Sequence, residues 1–227
     1  MKTIIVTAVA LWAAGAAGAA QISWNAGPNF GGAHGQQGIL TNGTLVQAVH
    51  LAGSSGGSIV VDPSGLDITF QNVNSPWFSS SFVDPPNNIG DAGWSSVIRT
   101  FEWSGAGDVD ATSFLSGLTV GESYQVQFFS GRSNGCCADR TLKIGDGLGN
   151  FSTPISQAPM AFQSVVGTFV ANAATQRIVF DDSANAPELS AYVLLQSPTP
   201  PVPEPQSWAL MLGGLVLTLG RLVRRRC

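Results

Sequence analysis

The feature that most constrains this chain is a period of two that recurs between turns, with little sign of a helical period. "LDITFQNV" (66–73) sets Leu66, Ile68 and Phe70 on one face. "SYQVQFFS" (123–130) sets Tyr124, Val126 and Phe128 on one face and Gln125 and Gln127 on the other. "TLVQAVHL" (44–51), "GSIVVD" (57–62), "SVIRTFEW" (96–103), "RTLKIGD" (140–146), "QSVVGTFVA" (163–171), "TQRIVFDD" (175–182) and "LSAYVLLQ" (189–196) read in the same way. About nine short strands, separated by Gly-, Asn- and Pro-containing turns, predict an all-β antiparallel sandwich or jelly roll. "DVDATSFLSGL" (108–118) is the one helix-like window, read as a turn of helix or a loop. "SPWFSSSFVDPPNNIGDAGW" (75–94) reads as a long loop, a length that usually carries function or mobility.

Both ends of the chain read differently. Residues 1–20, "MKTIIVTAVALWAAGAAGAA", have a basic start at Lys2, an apolar stretch from Ile4 to Trp12 and small residues at Ala17–Ala20. That is a helical secretory signal peptide handled by the Sec machinery, with cleavage expected after Ala19 or Ala20. Residues 198–207 form a Pro-rich linker, and residues 208–227 an apolar segment closed by an arginine cluster. The uncharged run Trp208–Gly220 is short against the roughly 20 residues a comfortable bilayer span requires. It suits a short helix inserted transiently in the inner membrane, with Arg221, Arg224, Arg225 and Arg226 on the cytoplasmic side.

Between them, residues 21–197 are expected to be one domain. From Gln21 to Pro200 there are five basic and thirteen acidic residues, 5 − 13 = −8, against −4 for the whole chain. An acidic domain without a Lys/Arg cluster is a poor nucleic-acid binder. Charged residues are only 11% of the chain, and small polar residues are plentiful, as suits an exported β-rich domain.

The candidate sites are several. Cys136 and Cys137 are adjacent, and their readings are a vicinal disulfide, free thiols, intermolecular bonds or a metal site. His34 and His50 have no second ligand near them in sequence. Asp108, Asp110, Asp146, Asp181 and Asp182 are clustered oxygen donors, readable as a structural Ca2+ site or as ordinary turn residues. Exposed aromatics on the long loop suit carbohydrate, with Trp77 and Trp94 as stacking surfaces and Arg99 and Arg132 as donors to hydroxyls; Trp103, ending a strand, is expected in the core. Catalysis finds little support: no G-x-S-x-G elbow, H-E-x-x-H or P-loop is present. A carboxylate pair for glycoside hydrolysis remains open, with Asp181-Asp182 able to supply one member.

Pro203-Glu204-Pro205, the apolar segment and the terminal arginines stand in the order of the PEP-CTERM sorting signal, which the last 25 or so residues resemble. The resemblance implies export by a Gram-negative bacterium that makes extracellular polysaccharide, with an exosortase cutting near Pro203–Pro205. Cys227 would be discarded with the tail. "GTLVQAVHLAG", "GLDITFQNV" and "FLSGLTVGESYQVQFFSGRSNGCCADRTLKIGDGLGN" resemble exported bacterial domains with a galactose-binding-like jelly roll. That likeness implies no catalytic residues. The expectation is therefore a secreted, non-catalytic surface or matrix protein associating with extracellular polysaccharide. The alternatives are a secreted carbohydrate-active hydrolase and a self-associating structural protein.

Overall fold

The structure is a computed structural model. It describes residues 19–51, 57–85, 89–105, 108–132, 140–182 and 187–198, and its β-rich unit ends at Ser197. The strands in chain order are β1 (Ser23–Ala26), β2 (Thr44–Leu51), β3 (Ser58–Val61), β4 (Ile68–Val73) and β5 (Ser80–Val83). A helix, α1 (Ala92–Ile98), precedes β6 (Thr100–Trp103), β7 (Val109–Ser116), β8 (Ser123–Ser130) and β9 (Thr141–Gly145). The last five are β10 (Ile155–Ser156), β11 (Gln163–Val170), β12 (Thr175–Asp182), β13 (Glu188–Leu189) and β14 (Ala191–Gln196).

They form a β-sandwich. A seven-stranded sheet, β1-β11-β8-β14-β2-β4-β3, packs on a four-stranded sheet, β10-β9-β12-β7. A three-stranded sheet, β13-β6-β5, completes the described strands. Tyr124, Val126 and Phe128 of β8 point into the main core, with Ile178 and Phe180 of β12 and Leu142 and Ile144 of β9 facing them. Pairing is antiparallel except between β2 and β4, which run parallel because β3 lies outside β4 rather than between them.

The seven-stranded sheet is covered on its second face as well. There Phe129, Val193 and Leu195 meet Phe30, Ile39, Phe70, Trp94, Val97, Ile98 and Phe162 in a second core. A sheet buried on both faces loses its polar-out alternation. This is why Gln127, expected to face outward, is enclosed. Its amide donates to Gly38 O (2.9 Å) and Ser164 Oγ (3.1 Å), and its Oε1 accepts from Leu40 N (2.8 Å).

Three further expectations are corrected. "DVDATSFLSGL" is neither helix nor loop: Val109, Ala111 and Phe114 turn into the main core, and the segment forms strand β7. The long loop is interrupted by β5 and by the start of α1. "SVIRTFEW" is half helix: α1 continues through Ile98 before β6 begins at Thr100. Asp91 caps α1, its carboxylate accepting from Trp94 N at 2.6 Å. Trp94, Val97 and Ile98, at i, i+3 and i+4, supply the buried stripe.

Candidate functional site

Of the four residues expected to bind ligand, two are buried and two half-buried. Trp94 is fully enclosed, its ring 5.0 Å from that of Phe129 and 5.5 Å from that of Phe30, so it is a core residue and no stacking surface. Trp77 is half-buried against the main core. Arg99 ends α1, its N–H on Ser95 O. Trp103 is half-buried at the end of β6 rather than enclosed.

Arg132 is buried too. Its guanidinium lies 3.2 Å from Glu188 Oε2 and 4.9 Å above the Phe101 ring. Gln157 Nε2 holds Glu188 O at 3.0 Å. Burial pushes the Glu188 carboxyl up to about 8, more than the nearby Arg132 and Arg140 pull it down, with Asp84 adding to the rise.

The aspartates are dispersed. Asp110 pairs with Arg177, and Asp181 sits 3.6 Å from Lys143. Asp108 is exposed just before β7, and Asp182 ends β12. Asp146 is buried and ties two segments together: Oδ2 accepts from Ile22 N (3.0 Å) and Asn150 Nδ2 (3.4 Å), and Oδ1 from Leu148 N (2.8 Å). Among the described residues no three His, Cys, Asp or Glu side chains gather as a metal site requires. His34 is exposed; His50 is buried with Nδ1 2.9 Å from Asn72 Oδ1, and burial lowers its pKa. Cys136, Cys137, Pro203, Glu204, Pro205, Arg221, Arg224, Arg225, Arg226 and most of the leader lie outside the described residues. No helix among the described residues is long and apolar enough to cross a membrane.

The site that the structure does assemble was not singled out in the sequence. Edge strand β1 and the segment after β9 bound an open groove of about 510 Å3, lined by Gln21, Ile22, Ser23, Trp24, Asn150, Phe151 and Thr168. Two glycines seat its two rings. Trp24 stands directly across the ladder from Gly167, and Phe151 bridges across to Gly145. A Cβ on Gly167 would come within 2.6 Å of the Trp24 ring, and one on Gly145 within 2.6 Å of the Phe151 ring. Only glycine lets each ring lie this close to the sheet, a pairing that also repairs the poor packing of a strand glycine. Trp24 is further fixed by its Nε1–H on Asn150 O (3.3 Å), while Asn150 Nδ2 donates to Ile22 O. Phe151 remains 38% exposed and Trp24 half-buried. Among the described residues, no charged side chain lines the groove. A second depression, of about 360 Å3 beside Asn29, Met160 and Phe162, has its one aromatic ring buried.

Fold and groove together define an all-β sandwich with a small aromatic surface at one sheet edge. Among solved structures the chain is similar to the ANX2 ectodomain from Arabidopsis thaliana, at 9% identity and a TM-score of 0.47 over 68% of this chain. The match spans 50% of that ectodomain's length. No family model matches the sequence, and no curated protein matches it.

Proposed function

We propose that the chain is an exported, non-catalytic surface or matrix protein whose sandwich binds neutral polysaccharide in the β1 groove. The leader and the Pro-Glu-Pro tail support export and exosortase processing, with transient insertion in the inner membrane. The observation that carries the binding reading is the Trp24–Phe151 pair: two fixed, part-exposed rings beside the side-chain amides and hydroxyls of Gln21, Ser23, Asn150 and Thr168. Sugar rings present apolar faces to aromatic surfaces and hydroxyls to amides, and a groove of this volume suits a few such units. The absence of charge in the lining selects a neutral polymer, and the surplus of acidic residues repels an anionic one.

The test is affinity electrophoresis of the processed protein in gels of neutral polysaccharide, including that of the producing bacterium. Retardation is expected, and is expected to disappear in Phe151→Ala. Equal retardation of wild type and Phe151→Ala, or no retardation by any neutral polymer, defeats the reading.

One observation favours self-association as a second role. Strand β5 edges the three-stranded sheet with all four residues exposed, Phe82 and Val83 among them. Such an edge pairs readily with another strand. Sedimentation over a range of concentrations should show an oligomer that Phe82→Lys dissolves; a monomer at all concentrations rejects this role.

A further inference from the structure

We infer that the leader is cut between Ala19 and Ala20, making Ala20 the first residue of the mature protein; this rests on the export reading above. The small residues around the junction allow a cut on either side of Ala20. The fold distinguishes the two.

Ala20 belongs to the sandwich. Its side chain is part of the main core and only 6% of the residue is exposed. Gln176, itself buried in β12, grips it at two points: Ala20 N–H donates to Oε1 at 2.8 Å, and Nε2 donates to Ala20 O at 3.1 Å. Ile22 follows two residues later, fully buried, with its N–H on Asp146. Ala19, by contrast, is half-exposed.

Hydrolysis of the Ala19–Ala20 bond adds one water, leaving a carboxylate on Ala19 and an ammonium on Ala20. The ammonium keeps one proton on Gln176 Oε1 and turns the others toward the side from which Ala19 departs. A cut one residue later removes the Ala20 methyl from the core and takes from Gln176 Oε1 its Ala20 donor. Nε2 would then retain only its bond to Arg177 O (3.0 Å). Losing these hydrogen bonds and a buried methyl costs stability, so the fold favours the earlier junction.

The experiment is intact mass and N-terminal sequencing of the full-length chain after export from a Gram-negative host. An N-terminus at Ala20 is expected. An N-terminus at Gln21, or upstream of Ala20 within the small-residue stretch, overturns this inference while leaving export standing. A chain that still carries residues 1–18 overturns both. As a second readout, deleting Ala20 from the precursor so that the product begins at Gln21 should lower Tm by about 4 °C. An unchanged Tm would show that Gln176 has no use for Ala20 and would count against the assignment.

Discussion

Trp94 and Trp24 both pack on the seven-stranded sheet, from opposite faces, and do different work. Trp94 meets Phe129 on the face covered by α1. Trp24 meets Phe128, the neighbouring residue of β8, at 6.3 Å on the face turned to the main core. Trp94 is enclosed by Phe30, Phe70 and Phe129 on its several sides. Trp24 sits on the last strand of the sheet, where no further strand covers it among the described residues, and a glycine holds its ring flat. Position in the sheet, rather than residue type, decides which tryptophan is left partly exposed.

The sharpest way to break this contrast is to remove each ring. Trp94→Ala should cost about 3–5 kcal/mol of stability, because it opens a cavity inside a closed aromatic cluster. Urea denaturation measures it. Trp24→Ala should cost clearly less stability but abolish retardation by polysaccharide. If the two variants lose equal stability and neither loses binding, the distinction between interior and edge collapses.

The interior and the edge should also differ in their response to pH. Glu188 has an ordinary carboxyl value of 4.5 when unfolded and about 8 when folded. Between these values the unfolded chain has released a proton that the folded chain still holds, so stability falls as pH rises through that window. The slope is at most about 1.4 kcal/mol per pH unit from this one group. Below 6.5, His50 acts in the opposite sense, since burial lowers its pKa and acid charges the unfolded form first. Glu188→Gln should flatten the alkaline loss, as followed by urea midpoints across pH. Polysaccharide binding, with no titratable side chain among the described residues lining the groove, should stay level where neither the fold nor the charge of the Ala20 α-amine changes.

The two regions differed in how far the sequence revealed them. Strand β8 was bounded correctly from its alternation, since Tyr124, Val126 and Phe128 share a face that a local pattern reports. Helix α1 was misread because seven residues hold too few turns to establish a period, yet Asp91 followed by Trp94, Val97 and Ile98 carried the signal of a cap and stripe. Strand β7 was misread because two consecutive exposed residues, Thr112 and Ser113, break its alternation where the pairing with β12 shifts register. The groove was not legible at all: Trp24 opposite Gly167 and Phe151 opposite Gly145 are cross-strand pairs, and the first spans most of the chain. A lone Trp in a short polar strand after the leader was the one available hint.

Removing only Phe151 tests the edge by itself. Its ring covers Gly145 but is 38% exposed, so Phe151→Ala should lower stability by about 1 kcal/mol while weakening polysaccharide binding at least tenfold. The neighbouring ion pair supplies the smallest effect and the control. Asp110 and Arg177 meet on the surface, where Arg177 lowers the Asp110 carboxyl below its ordinary value; their side chains are 46% and 38% exposed. The lowered value means a stabilisation present above the unfolded pKa and lost as pH falls through the folded one. Exposure and salt keep it below about 1 kcal/mol. Arg177 Nη1 also donates to Gly147 O at 3.2 Å, supporting the turn that leads to Asn150 and Phe151. Asp110→Asn keeps that second contact, so it should shift Tm by a degree or two at low salt, less at high salt, and leave binding unchanged. A loss of binding in Asp110→Asn would mean that the groove depends on the ion pair rather than on the glycine-seated rings.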